Sequence, residues 1–181
     1  LFDTREQLDL SNIKQQYPGL KVELGTLDKQ DFTQYQMLLV SPGIAISHPA
    51  IEQAREQGCL IWGDIELFAH FVQAPVIAIT GSNGKTTVTT LLTEMAKQAG
   101  VNAACGGNIG VPVLDLVNDP TIELFILELS SFQLETTYQL PLLAATILNV
   151  SDDHLDRYDS FSAYARAKQR IYDDCEWAVT N

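Results

Sequence analysis

The stretch Val76-Ile-Ala-Ile-Thr-Gly-Ser-Asn-Gly-Lys-Thr-Thr87 constrains the fold more than any other part of the chain. Its apolar start, rich in β-branched side chains, predicts a short buried strand. A tight glycine-containing loop follows, and then a helix is predicted from Lys85 to Ala99, stopped by Gly100. Val88, Leu91, Leu92, Met95, Ala96 and Ala99 recur at helical spacing and are expected to form its buried face. Strand, loop and helix N-terminus together make a phosphate cradle. Backbone N–H groups along Gly81, Ser82, Asn83, Gly84, Lys85, Thr86 and Thr87 point at the anion, and the Lys85 ammonium reaches the outer phosphates. Thr86 stands where a P-loop carries its magnesium-binding hydroxyl. The usual pattern has a glycine four residues before the Gly-Lys-Thr; here that place is Ile79, and the extra glycine is Gly81. A chance Gly-Lys-Thr in a surface loop is the bland alternative, and the strand–loop–helix context argues against it.

The rest of the chain alternates strand and helix, which predicts an α/β fold with a mostly parallel sheet. Strands are expected at Leu20–Leu24, Met37–Val40, Leu60–Trp62, Val101–Cys105, Leu124–Leu127, Ala144–Leu148 and from Glu176 to the end, the last without a partner. Helices are expected at His48–Gln57, Asp64–Val72, Val111–Val117 and from a cap at Asp159 or Ser160 to about Tyr172. Gly106-Gly-Asn-Ile-Gly110 reads as a glycine loop, and Leu129-Ser-Ser131 as a polar turn. Ala74-Pro75 marks a joint, so residues 1–74 and 75–181 read as two domains.

Composition narrows the partners. A net charge of −12 over 181 residues argues against a nucleic-acid or membrane surface, since either would want a basic patch. It leaves nucleotide binding open, because local N–H groups, lysine and magnesium supply the positive field. Cys59, Cys105 and Cys175 are widely spaced and are expected to be reduced, structural thiols. No apolar run approaches the roughly 18–20 residues that span a bilayer, and no leader opens the chain, so a cytoplasmic protein is expected.

Three further features carry chemistry. Glu128 ends an apolar strand, where P-loop folds hold the carboxylate that positions magnesium; an ordinary solvated strand end is the alternative. Asn149-Val-Ser-Asp-Asp-His-Leu-Asp-Arg157 gathers His154, three carboxylates and a guanidinium into one loop after a strand. Lys168 lies in the middle of the helix face formed by Phe161, Tyr164, Ala165, Ile171 and Tyr172. It either snorkels to the helix edge or is desolvated as a neutral amine, which can take up carbon dioxide as a carbamate.

Together these segments resemble the Mur ligases, which build the peptide stem of bacterial cell-wall precursors. Thr80–Thr87 resembles their P-loop, Gly106–Gly110 a substrate loop, Asn149–Asp156 the histidine loop and Ala167–Tyr172 the modified-lysine helix. Leu127–Glu135 looks like the acid segment of the D-glutamate-adding branch, and Asp3-Thr-Arg5 with Ser41-Pro-Gly-Ile44 like the uridine-diphosphate edge of the first domain. The resemblance implies a partial Rossmann-like uridine-nucleotide domain followed by a P-loop-type central domain. It also implies an ATP-dependent ligase adding D-glutamate to UDP-N-acetylmuramoyl-L-alanine through an acyl phosphate. By the same resemblance Lys85, His154 and Lys168 are catalytic; Thr86, Glu128, His154 and a carbamylated Lys168 serve Mg²⁺; and Thr4, Arg5, Ser41, Gly43, Asn108, Ser130 and His154 hold the substrate.

The family's third domain and first glycine loop are missing, so the chain reads as an internal piece that should lack the full reaction alone. A monomer acting on small molecules is expected. Another Mur ligase, a folylpolyglutamate synthetase-like ligase, and a P-loop nucleotide switch are the rival readings. A switch has no need of the His154 loop or an inward Lys168.

Overall fold

The computed structural model describes residues 1–151 and 157–180. The chain divides into two compact units, residues 1–38 with 46–61, and residues 39–45 with 62–181.

The first unit is built from short elements. Strand β1 (Phe2–Asp3) pairs in parallel with β2 (Glu23–Leu24), and helix α1 (Ser11–Gln16) lies between them in sequence. A single 3-10 turn at Leu27–Lys29 precedes β3 (Met37–Leu39), which pairs with β4 (Leu60–Trp62). Helix α2 (Pro49–Glu56) starts at His48, whose ring nitrogen accepts from the Ala50 N–H, and Pro49 needs no partner for its missing N–H. Ile51 and Ala54 are its buried face. Only Glu23–Leu24 of the expected Leu20–Leu24 strand pairs, because β1 offers only two residues to pair with.

The second unit is a five-stranded parallel sheet in the order β6-β7-β5-β8-β9. Its strands are β5 (Val76–Thr80), β6 (Ala103–Gly107), β7 (Leu124–Glu128), β8 (Leu142–Ile147) and β9 (Cys175–Val179). Among the described residues, five helices belong to it: α3 (Asp64–Ala69), α4 (Lys85–Gln98), α5 (Val113–Leu116), α6 (Ser131–Glu135) and α7 (Phe161–Gln169), the last continued by a 3-10 turn at Arg170–Tyr172. Side-chain alternation gives the sheet two apolar faces. Val76, Ala78, Phe125, Leu127 and Ala145 pack with Ile65, Phe68, Val113, Leu134 and Ile171 on one side. Ile79, Ala103 and Ile126 meet Val88, Leu92 and Ala96 of α4 on the other. Each fully buried Ile, Leu or Phe contributes about 1.5–3 kcal/mol, and the core is completed from the connecting segments by Leu129 and Leu140.

The structure corrects four further expectations. The face of α4 turned to the sheet is centred on Thr89 and Thr93, whereas Leu91 and Met95 are 57% and 58% exposed and Ala99 is exposed too. Small threonines let the helix approach the sheet closely, and Thr93 spends its hydroxyl on the Thr89 carbonyl at 2.7 Å. Gly106 and Gly107 belong to β6 and not to a loop, because both strand ends pair with β7. The terminal strand β9 has a partner, β8, running parallel to it. The polar turn after Glu128 is the start of helix α6, which carries a complete capping box between Ser130 and Gln133.

Glu66 is the buried acid of α3. Its carboxylate accepts from the Tyr138 and Gln139 N–H groups and lies 3.4 Å from His70 Nε2, so α3 is tied to the chain leaving α6. The three cysteines are free, and burial pushes the Cys59 thiol up from its ordinary value. No helix among the described residues is long and apolar enough to cross a membrane.

Candidate nucleotide and substrate site

In a parallel sheet the carboxyl ends of all strands open on one edge, which is where such folds bind ligands. At that edge β5 ends in Thr80, β7 in Glu128, β6 in Gly107 and β8 in Ile147.

The loop from Gly81 to Gly84 leads into α4. Gly84 takes a left-handed conformation at φ 80°, which lets the chain turn directly into the helix. A side chain at Gly81 would press on Leu148 Cβ at 3.2 Å and on the Asn149 backbone at 3.4 Å, so only glycine lets the loop lie against the end of β8. Lys85 folds back over the loop and donates to the Gly81 and Ser82 carbonyls at 2.8 and 3.1 Å. Its ammonium is therefore already held over the cradle. Thr87 is exposed on the first turn of α4.

Thr86 donates its hydroxyl to Glu128 Oε2 at 2.7 Å, and Asn108 donates Nδ2 to Glu128 Oε1 at 2.7 Å. Glu128 is only 2% exposed, so the carboxylate is held between two donors with no cationic side chain among these partners. Asn108 is placed by its own backbone, whose N–H donates to the Glu128 carbonyl at 2.8 Å. Gly107 makes this approach possible: it sits at φ 94°, and a Cβ there would fall on the Glu128 carbonyl oxygen.

Lys168 is 1% exposed and thus does not snorkel. Its Nζ donates to the Gly81 carbonyl at 3.0 Å and lies 3.4 Å from Thr80 Oγ1 and 4.6 Å from the centre of the Tyr164 ring. Tyr164 precedes Lys168 by one helical turn on α7, and its hydroxyl meets Ser82 Oγ at 3.1 Å. Sequence reasoning gave Tyr164 only a packing role; the i, i+4 spacing to Lys168 was the available signal.

Ser130 is committed to the α6 cap, accepting from the Gln133 N–H at 3.2 Å, while Gln133 Nε2 donates to Asp64 at 3.2 Å. Of the expected nucleotide-sugar residues, Thr4 and Arg5 lie in the first unit, where Arg5 grips Asp3 through Nε and Nη2 at 2.8 and 2.7 Å. Ser41 and Gly43 belong to the second unit. Arg157, which sequence reasoning left without a role of its own, donates to the carbonyls of Pro42, Gly43 and Ile44 at 3.4, 3.3 and 2.9 Å and lies over the Phe132 ring at 4.4 Å. His154 lies outside the described residues. Among the described residues no group of three or more His, Cys, Asp or Glu side chains converges on a metal position. The Thr86 hydroxyl and Glu128 carboxylate are the oxygen donors that fit a magnesium ion beside a bound phosphate.

Comparison with known proteins gives this edge a context. Residues 79–181 match the family model of the Mur ligase middle domain, and residues 1–63 that of the Mur ligase MurD-like N-terminal domain. UDP-N-acetylmuramoylalanine--D-glutamate ligase of Marinobacter nauticus is 56% identical over 172 residues, covering 95% of this chain and 38% of that protein. The Haemophilus ducreyi protein of the same name is 50% identical over 181 residues, covering 100% of this chain and 41% of its own length. The chain thus spans about two fifths of the length of the relatives it matches. Among solved structures, the UDP-N-acetylmuramate:L-alanyl-gamma-D-glutamyl-meso-diaminopimelate ligase from Neisseria meningitides superposes with a TM-score of 0.57 at 16% identity, over 99% of this chain and 62% of that one. MurF ligase from Thermotoga maritima, solved with ADP, gives 0.52 at 20% identity, over 84% and 47% of the two chains. These likenesses speak for the fold. With both family models matched and more than half of the residues in one of them, the chain belongs to the Mur ligase family.

Proposed function

We propose that this chain carries the ATP site and part of the nucleotide-sugar site of a ligase that joins D-glutamate to UDP-N-acetylmuramoyl-L-alanine in peptidoglycan precursor synthesis. Residues 75–181 serve ATP and residues 1–74 the uridine end of the substrate. The name shared by the relatives at 50–56% identity supports the substrates. The observation that carries the chemistry is the junction of Lys85, Thr86 and Glu128 at the carboxyl edge of the sheet.

The substrate carboxylate attacks the γ-phosphorus of ATP, giving an acyl phosphate and ADP. The amine of D-glutamate then attacks the acyl carbon, phosphate leaves and the nitrogen loses a proton. Both partners of the first step are anions, so its barrier falls when positive charge and N–H donors are fixed in advance. Lys85, released from its carbonyl partners, follows the transferred phosphoryl group, and the N–H groups of the loop hold the phosphate chain. Thr86 and Glu128 hold Mg²⁺, which neutralises phosphate charge when bound. Asn108, fixed on Glu128, keeps that carboxylate in place beside the substrate.

Lys168 reacts as its neutral amine with CO₂, forming an N–C bond and releasing a proton, and the resulting carbamate keeps one N–H for the Gly81 carbonyl. His154 and this carbamate serve a second Mg²⁺. Thr4, Arg5, Ser41, Gly43 and Ser130 border the UDP-sugar, the enzyme works as a cytoplasmic monomer, and its substrates are small molecules.

The test is phosphate release by the intact enzyme with ATP, Mg²⁺, UDP-N-acetylmuramoyl-L-alanine and D-glutamate. Release that requires all four, and that falls by about 10²-fold or more in Lys85→Ala with the fold intact, is the expected result. Equal release with another amino acid in place of D-glutamate, or none at all, overturns the assignment.

A further inference from the structure

The end of β8 shapes the phosphate loop through one side chain. The β5–β8 ladder closes with Leu148 N–H donating to the Thr80 carbonyl at 2.9 Å and Ser82 N–H donating to the Asn149 carbonyl at 3.0 Å. Beyond that rung the two backbones part. The Asn149 side chain bridges the gap: Oδ1 accepts from the Asn83 N–H at 2.9 Å and Nδ2 donates to the Asn83 carbonyl at 2.9 Å. A carboxamide carries the same donor and acceptor as a peptide group, so Asn149 adds one further rung to the ladder from its side chain. Ser151 strengthens the seam, its N–H donating to Ser82 Oγ at 3.0 Å. Both Asn149 bonds land on the backbone of Asn83, the residue immediately before Gly84 and the first turn of α4. They therefore fix the peptide planes on either side of Asn83, which decide where the loop's N–H groups aim.

We propose that Asn149 is a positioning residue for nucleotide binding, presetting the Ser82–Gly84 backbone for the ATP phosphates. The proposal rests on the ATP-site reading above. No other side-chain type of this length supplies both bonds: aspartate lacks the donor, and serine reaches at most one partner. An unheld loop must be ordered by the ligand itself, and that ordering cost appears as lost affinity.

The experiment is calorimetric titration of the intact enzyme with Mg·ATP, for wild type, Asn149→Ala and Asn149→Ser. Asn102→Ala is the control for a loop clasp elsewhere, since Asn102 Nδ2 donates to the Thr121 carbonyl at 2.7 Å just before the start of β6, at the opposite edge of the sheet from the phosphate loop. The expected result is an ATP Kd raised about tenfold or more in Asn149→Ala, by roughly the loss of two hydrogen bonds. Affinity for UDP-N-acetylmuramoyl-L-alanine should stay within about threefold, and Asn102→Ala should bind ATP like wild type. If Asn149→Ala lowers the melting temperature as Asn102→Ala does but binds ATP like wild type, Asn149 is a structural clasp only and the proposal is wrong. Should Asn149→Ala fail to fold, Asn149→Ser decides by the same criterion. Absence of ATP binding by wild type would instead overturn the nucleotide-site reading itself.

Discussion

Thr86 and Glu128 are 42 residues apart in sequence, yet the hydroxyl of one donates to the carboxylate of the other at 2.7 Å. The contact exists because β5 and β7 are adjacent and parallel, so the first turn of α4 and the end of β7 meet at one edge. If Glu128 holds the Mg²⁺ proposed above, that ion would bring to the buried carboxylate the positive charge that its two neutral hydrogen-bond donors, Thr86 and Asn108, do not. Glu128→Gln keeps the volume and removes the charge. Turnover should fall by about 10²-fold or more, with the Mg²⁺ concentration for half-maximal rate displaced upward. A magnesium titration of the variant checks this, and an unchanged curve would remove Glu128 from the metal site.

Lys168 gives a sharper test, because its burial is a fact and its modification a proposal. Lys168→Ala should remove most activity while urea unfolding shows a folded protein. Acetate should restore part of the rate, since it returns anionic oxygen to the vacated space, and acetamide of nearly the same size should not. Equal rescue by both, or full activity in the alanine variant, would exclude a metal-ligand role.

The Pro42–Ile44 turn depends on Arg157, whose guanidinium donates to three successive carbonyls. If Ser41 and Gly43 border the nucleotide sugar, Arg157→Ala should raise KM for that substrate about tenfold, as expected for the loss of one or two charged hydrogen bonds. KM for ATP should move less than about threefold. Steady-state kinetics with each substrate varied in turn separates the two, and a uniform fall in both would point to general destabilisation.

Asp3 in the first unit titrates near 2, because the side-chain bond from Arg5 holds its carboxyl below the ordinary 3.8, with the Arg5 backbone N–H adding to the effect. The folded value is lowered, so whatever stability the pair contributes is fully present above 3.8 and is lost as pH falls through about 2. Carboxyl NMR titration of Arg5→Ala should find Asp3 displaced most of the way back toward its ordinary value, with the backbone bond keeping it slightly low. A titration still near 2 would show that the guanidinium is not the cause.

Much of this was legible in the sequence where one local pattern did one job. Val76–Thr87 announced strand, loop and helix, and Glu128 announced itself as an acid closing an apolar run. Helical spacing put Lys168 on the apolar face of its helix but left snorkelling open, and its burial in the fold decides between the two. Reading failed where polarity and burial disagree. Leu91 and Met95 were read as the buried face of α4 because they are apolar, whereas close packing on the sheet selects the smaller Thr89 and Thr93. Helix α6 was missed although Ser130 and Gln133 stand at capping-box spacing, since five residues leave little periodicity to detect. The pairing of β9 with β8, and the contacts of Asn149 and Arg157, depend on chain segments brought together only by the fold.

Gly107 contributes no functional atom, and that is its contribution. With nothing beyond its Cα, the end of β6 crosses the Glu128 carbonyl closely enough for Asn108 to grip the same residue by main chain and side chain at once. In a scan that replaces each residue here with alanine, most changes would trim the site. At position 107 the same change adds a methyl group, and the carboxylate would lose its seat because of an atom gained.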